Sequence, residues 1–236
     1  MPINGFNEKD YQIFSEIENI RKYWLSGSEK REFYDYGAIS PEAMVTPEEM
    51  YRGRRVTRSM GELCGQGLKG KWAHLLYGLV KAHRPANILE LGTCCGFSAI
   101  YMAKASPDAT IYTIEGAEEV AGIAKSNFHK AECRNIIQTV GRFQDVLVGV
   151  LHRMQRVDFA FIDGHHNKDA TIRYYSEIKP FLNKNAILVF DDISWSQGMG
   201  EAWQTIKNDK DVKHYEDLQK LGICYMERQG CGVRSE

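Results

Sequence analysis

One stretch constrains this chain more than any other: Asn87-Ile88-Leu89-Glu90-Leu91-Gly92-Thr93-Cys94-Cys95-Gly96-Phe97-Ser98. It reads as a short apolar strand carrying an acid, then a glycine turn, then a helix start. Proteins of the α/β class build a cradle for a nucleotide-like ligand in this way. Two further acid-ended strands follow, Thr113-Ile114-Glu115-Gly116 and Phe161-Ile162-Asp163-Gly164, and a fourth ends in Asp191-Asp192. Strand ends that each deliver a carboxylate to one edge of a sheet describe an active site.

The periodicity around these strands predicts their context. Residues 8–25 read as an amphipathic helix, with Ile13, Ile17, Ile20 and Trp24 at helical spacing. Residues 26–70 read as a loop-rich segment with seven glycines, Pro41 and Pro47, and one or two short helices, one starting at Thr46-Pro47. The cluster Arg52, Arg54, Arg55 and Arg58 reads most simply as a solvated helix face; a clamp for an acidic ligand is the second reading. A helix over 72–83 stops before Pro85. Strands are expected at 87–91, 110–114, 135–140, 157–162 and 186–190, with helices at 97–104, 117–130, 143–154, 169–182 and 199–209 between and after them. Two final strands, 212–218 and 222–227, have no helix between them. The alternation predicts an α/β fold with a doubly wound, mostly parallel seven-stranded sheet and an antiparallel hairpin at one edge. We divide it as a helical and loop extension over 1–70, lying as a lid on the acceptor side, and a ligand-binding domain over 71–236.

Bulk properties exclude some functions. With 236 residues, 43% hydrophobic, and a net charge of −1, nothing recruits nucleic acid or an anionic membrane by charge. The longest apolar runs are strand-sized, and the first ten residues lack the basic and apolar regions of a signal peptide, so a cytoplasmic protein is expected. The six cysteines (64, 94, 95, 133, 224 and 231) include no CxxC pair and are read as reduced thiols.

The chemistry of the turn narrows the ligand. Glu115 stands 25 positions after Glu90 and can accept hydrogen bonds from both hydroxyls of a ribose. The turn lacks the Gly-x-Gly-x-x-Gly pattern that admits a pyrophosphate, which speaks against a dinucleotide-dependent dehydrogenase. An acid at Glu90 suits a cationic ammonium or sulfonium ligand better than phosphates.

At this point the chain resembles a known family. Ile88 to Ala103 resembles motif I of the class I S-adenosylmethionine methyltransferases, most closely the catechol O-methyltransferase-like branch, whose loop has the form Leu-Glu-Leu-Gly-x-x-x-Gly-x-Ser. Val140-Gly141-Arg142-Phe143-Gln144-Asp145, Asp163-Gly164-His165-His166 and Asp191-Asp192 are similar to that branch's later loops, and to a bacterial subgroup with Asp-Gly-x-His and a terminal Asp-Asp. The resemblance spans roughly 70–227. It implies S-adenosylmethionine as cofactor, with Glu90 nearby, Gly92, Phe97 and Ser98 at its methionine end, Glu115 at the ribose, Phe143 and Gln144 at the adenine, and Asp163 and His165 in contact with it. It implies Asp163, Asp191 and Asp192 as ligands of Mg²⁺ or another divalent cation; three converging carboxylates repel one another unless neutralised. A metal-held hydroxyl would then attack the sulfonium methyl.

Two departures stand out. Asp192 replaces the Asn of the catechol enzymes, and His166 replaces their lysine base. His166, with Asp163, is the expected catalytic pair, since a histidine can act as a base near neutral pH. One of Asp191 and Asp192 could instead be a cap for the segment at Ile193-Ser194-Trp195. Trp195, Ser196 and Met199 should form one wall of the acceptor pocket, and Tyr34, Tyr36 and Trp72 another. The expected function is methyl transfer to a hydroxyl of a small molecule, assisted by a divalent metal. The alternatives are metal-independent transfer with His166 as base, or a catalytically silent cofactor-binding protein. Amino-group methylation is disfavoured because no Asn/Asp-Pro-Pro-Tyr loop follows the fourth strand. Acceptor identity and a homodimeric state are left open by the sequence.

Overall fold

The computed structural model describes residues 5–37 and 46–227; Pro41 and Cys231, singled out above, lie outside the described residues. The chain begins with α1 (Glu8–Leu25), closed at its start by a reciprocal capping box between Asn7 and Asp10. An antiparallel hairpin follows, made of β1 (Lys30–Asp35) and β2 (Arg54–Ser59), with α2 (Pro47–Arg52) in the connection. Thr46 caps α2 as the sequence led us to expect, and Ser59 caps α3 (Met60–Gln66) in the same manner. The hairpin corrects the sequence reading. Arg54, Arg55 and Arg58 stand on a strand, not on a helix face, and pair with Asp35, Glu32 and Asp35 at 3.1, 3.2 and 3.5 Å.

From α4 (Gly70–His83) onward the order is regular. It runs β3 (Asn87–Leu91), α5 (Phe97–Ala105), β4 (Thr110–Glu115), α6 (Glu118–Lys130), β5 (Ile136–Val140), α7 (Phe143–Met154), β6 (Val157–Ile162), α8 (Lys168–Ile178), β7 (Leu182–Phe190), α9 (Gln197–Lys207), β8 (Val212–Asp217) and β9 (Gly222–Met226). Helix α8 is shorter than expected, because a 3-10 turn at Lys179–Phe181, containing Pro180, ends it and releases the chain into a longer β7.

The large sheet has the order β5-β4-β3-β6-β7-β9-β8. Strands β3 to β7 pair in parallel, and β9 pairs antiparallel with both β7 and β8. Alternation along each strand feeds two cores. Ile88, Phe159, Phe161 and Val189 face one core with α1, α4, α5 and α6. Leu89, Leu91, Ala160, Ile162 and Leu188 face the other with α7, α8 and α9. Phe14 and Ile17 of α1 are buried in the first core beside Leu76 and Tyr101, so the N-terminal helix is packed into the main body. Among the described residues no helix is long and apolar enough to cross a membrane, and the five cysteines are free.

Candidate active site

Strand order reverses between β3 and β6: from β3 the chain winds outward through β4 and β5, and from β6 through β7 on the other side. A crevice opens at such a reversal, beyond the carboxyl ends of the strands. Here the ladder itself sets the residues at its floor. The Asp163 N–H donates to the Leu91 carbonyl at 2.9 Å, and the Asp191 N–H donates to that of Ile162 at 2.9 Å. Gly92, Asp163 and Asp191 therefore follow three adjacent strand ends. Gly92 has φ +98, and a Cβ there would run into the carbonyl oxygen of Asp163, so both conformation and space demand glycine.

A cavity of about 620 Å³ occupies this crevice. Of the residues singled out in the sequence, Gly92, Glu115, Phe143, Asp163, His165, His166, Asp191 and Asp192 line it, as do Tyr34, Tyr36, Trp72 and Trp195. Glu90, Phe97, Ser98 and Gln144 are not among the residues that line it. Phe97, expected at the cofactor, instead carries the guanidinium of Arg21 over its ring at 4.0 Å. Met199 is buried in α9, and Ser196 caps that helix through its bond from the Met199 N–H. Helix α9 begins only at Gln197, so its cap is Ser196 and not Asp191 or Asp192, for one of which a cap on the segment at Ile193-Ser194-Trp195 was the alternative reading.

One end of the cavity is built around Glu115. Its Oε2 accepts the Cys94 N–H at 2.8 Å and its Oε1 the Ala117 N–H at 2.9 Å, fixing the carboxylate between two loops. Burial pushes its pKa up in spite of these donors. Tyr36 lies against Gly116 so closely that a Cβ there would strike its ring. Below, Glu90 is fully buried, accepts from the Thr113 hydroxyl, and is pushed by burial up to about 7; its Oε1 has no hydrogen-bond partner. Gln144 Oε1 is likewise buried and unpartnered, next in sequence to the cavity-lining Phe143. The Ser98 hydroxyl offsets part of the burial at Glu90, and neither Glu90 nor Gln144 lines the cavity.

The other end holds the acids and the histidines. Gly164 lets the ring of Phe143 approach. His165 and His166 both adopt left-handed conformations, φ 63 and 46, and the His166 N–H closes a tight turn onto Gly164 O. Two such residues in a row are strained and persist only where the surroundings fix them. His165 is buried, shares a hydrogen bond of 2.5 Å with Tyr174 and meets Phe143 edge-on; burial lowers its pKa to about 4. It is a neutral wall residue. His166 points toward the acids, its Nε2 at 3.6 Å from Asp163 Oδ1 and 3.9 Å from Asp192 Oδ2, with Trp195 beside its ring. Burial lowers its pKa while Asp192 and Asp191 pull the other way. Burial and the charges of Asp191 and Asp192 drive the Asp163 pKa well up.

Sequence reasoning missed Lys220. Its Nζ lies 2.8 Å from Asp191 Oδ1 and 2.5 Å from Asp192 Oδ1, and it lines the cavity. This bears on the divalent cation expected on Asp163, Asp191 and Asp192. The oxygen donors suit a hard cation, but their arrangement does not fit one. An ammonium holds one oxygen of each of two ligands, Asp191 Oδ1 also accepts the Asp192 N–H at 2.8 Å, and among the described residues no group of three or more His, Cys, Asp and Glu could hold a metal ion. Lys69 and Arg142, also lining the cavity, were missed as well, although Arg142 lay inside one of the motifs; Arg58 of the arginine cluster lines it too, as the second reading of that cluster allowed.

Residues 89–193 match the family model described as a methyltransferase domain. Over 153 residues the chain is 29% identical to a protein of Mycobacterium tuberculosis named as a probable O-methyltransferase, covering 57% of this chain and 65% of that one. Over 128 residues it is 30% identical to a catechol O-methyltransferase of Niastella koreensis, covering 53% and 56%. The chain thus spans less than two thirds of these relatives' length. Among solved structures, an O-methyltransferase from Bacillus cereus in complex with SAH superposes with TM-score 0.61 at 21% identity, over 71% of this chain and 85% of that one. The SAH-bound Podospora anserina methyltransferase PaMTH1 does so with TM-score 0.65 at 13% identity, over 95% and 98%. The fold is that of Rossmann-like methyltransferases.

Proposed function

We propose that this chain, whose residues 89–193 match the model of a methyltransferase domain, is a class I methyltransferase of the catechol O-methyltransferase-like type that transfers the methyl group of S-adenosylmethionine to a hydroxyl of a small molecule. The observation that carries this reading is that one cavity is lined both by Glu115, after β4, and by Asp163, His166 and Asp192, after β6 and β7. The bound cofactor supplies an electrophilic methyl on a sulfonium. Glu115 would hold the ribose, Phe143 the adenine, and Gly92 gives the backbone room to approach.

At the acid end His166 does the proton chemistry. Its burial keeps the imidazole neutral at neutral pH, so Nε2 can take the acceptor's hydroxyl proton. Asp192 then faces the imidazolium and stabilises it, with the Asp163 carboxyl also beside the ring. The cavity walls from Trp72, Tyr34 and Trp195 hold the acceptor in line, which is where most of the acceleration of a displacement arises. Metal-independent transfer with His166 as base is favoured over the metal-assisted form by the position of Lys220.

Isothermal titration of S-adenosylmethionine and S-adenosylhomocysteine into the protein, with and without Mg²⁺, tests the reading. Micromolar binding of both, unchanged by Mg²⁺, is the expected result. Binding of neither would remove it.

A further inference from the structure

We propose that the Lys220 ammonium takes the place of a divalent cation at the acid end of the cavity and holds the acceptor oxygen there. This deepens the methyltransferase reading and rests on it. The support is geometric. Lys220 sits in the turn between β8 and β9, and that turn is tied to the loop after β7 by two bonds: the Ile193 N–H to Lys220 O at 3.1 Å and the Ser194 hydroxyl to Gln219 O at 2.6 Å. Within the turn, the Leu218 N–H donates to Leu221 O at 2.9 Å and the Lys220 N–H to Leu218 O at 2.8 Å. The backbone of the lysine is therefore registered against the very loop that carries Asp191 and Asp192.

An ammonium has three hydrogens. Two are engaged by Asp191 Oδ1 and Asp192 Oδ1, which leaves one for an acceptor oxygen in the cavity that Lys220 lines. Asp192 links the two halves of the device: its Oδ1 meets Lys220 and its Oδ2 faces His166 Nε2 at 3.9 Å. An acceptor hydroxyl between them gives its proton to His166. Its oxygen lone pair forms the new bond to the methyl carbon, and the methyl–sulfur bond breaks with its electron pair remaining on sulfur. Lys220 keeps its proton throughout and faces the negative charge as it builds on oxygen. A divalent ion on the same carboxylates would have to expel this ammonium or sit against it.

Titration with Mn²⁺, followed by electron paramagnetic resonance of the free ion, tests the proposal on the full chain. The wild type is expected to take up no Mn²⁺ at Asp191 and Asp192. Lys220→Met, which keeps the stem and removes the charge, is expected to gain roughly tenfold or more in Mn²⁺ affinity, and D191N in that background to lose it. K220R, with the charge kept, should behave as the wild type. Wild-type Mn²⁺ binding that D191N abolishes would overturn the proposal. So would a folded K220M that binds no better than wild type, or a K220R that binds as K220M does. The S-adenosylmethionine titration on the same samples reports separately on the methyltransferase reading: its failure leaves the Mn²⁺ result interpretable, and its success does not depend on Lys220.

Discussion

The carbonyl oxygen of Asp163 occupies the space in which a side chain at Gly92 would begin. The two residues follow neighbouring strands at the reversal of strand order, and each fixes the other: the Asp163 backbone can close over the turn only because Gly92 is bare. Gly92→Ala should therefore cost about 1–3 kcal/mol from its left-handed backbone alone, with the collision adding to it. A fall in thermal midpoint together with loss of S-adenosylmethionine binding would be seen by differential scanning fluorimetry with and without ligand. An unchanged midpoint would show that the crevice is wider than described.

Glu115 is the second fixed point. Glu115→Gln retains the shape but leaves either the Cys94 or the Ala117 N–H facing an amide NH₂. Losing a charged acceptor of this kind is worth about 1.5–3 kcal/mol, so S-adenosylmethionine should bind roughly ten- to a hundredfold more weakly by calorimetry. Equal affinity in the variant would mean that the ribose is held elsewhere.

His166 should separate chemistry from binding. His166→Ala is expected to lower kcat by roughly 10²–10⁴-fold, read as S-adenosylhomocysteine release with an acceptor found by screening phenols and alcohols. The dissociation constant for S-adenosylmethionine should stay near wild type. A parallel loss of both would reassign His166 to cofactor binding.

Away from the site, Asp10 anchors α1 to α4. Its carboxylate receives Lys81 Nζ at 2.7 Å on both oxygens and the Tyr77 hydroxyl at 2.7 Å. Burial would raise its pKa, but these partners and the Asn7 N–H outweigh it and hold the pKa below the ordinary value. A depressed folded pKa means stability that is fully present above the unfolded value, near 4, and is lost as pH falls through the folded one. Asp10→Asn should cost about 1–3 kcal/mol at pH 7, and the gap to wild type should close in urea melts run progressively below pH 4. A gap that persists unchanged at low pH would show that the charge is not what stabilises.

Much of this was legible in the residues, and the misses have physical reasons. The strands at 87–91 and 157–162 are buried on both faces and so read as apolar runs ending at the site. The hairpin of β1 and β2 was not legible, because Phe33 is the single buried residue on β1 and β2 carries three arginines. The start of β7 was hidden by Asn183-Lys184-Asn185, which stand at the register irregularity between the Val157–Leu182 and Phe159–Ile187 pairs and give no apolar signal. At the site, Asp163 and His166 were marked by their place after a strand. Lys220 carried no such mark. It lies 28 residues beyond Asp192, and only the antiparallel return of β9 beside β7 brings it there.

The walls of the cavity come from Phe33 at one extreme and Lys220 at the other, with the floor made from the middle of the chain. In the order of synthesis Asp163, Asp191 and Asp192 all precede the lysine that faces them, and the cavity is complete only once β9 has paired beside β7. A chain cut short before Lys220 would lack the ammonium that faces Asp191 and Asp192.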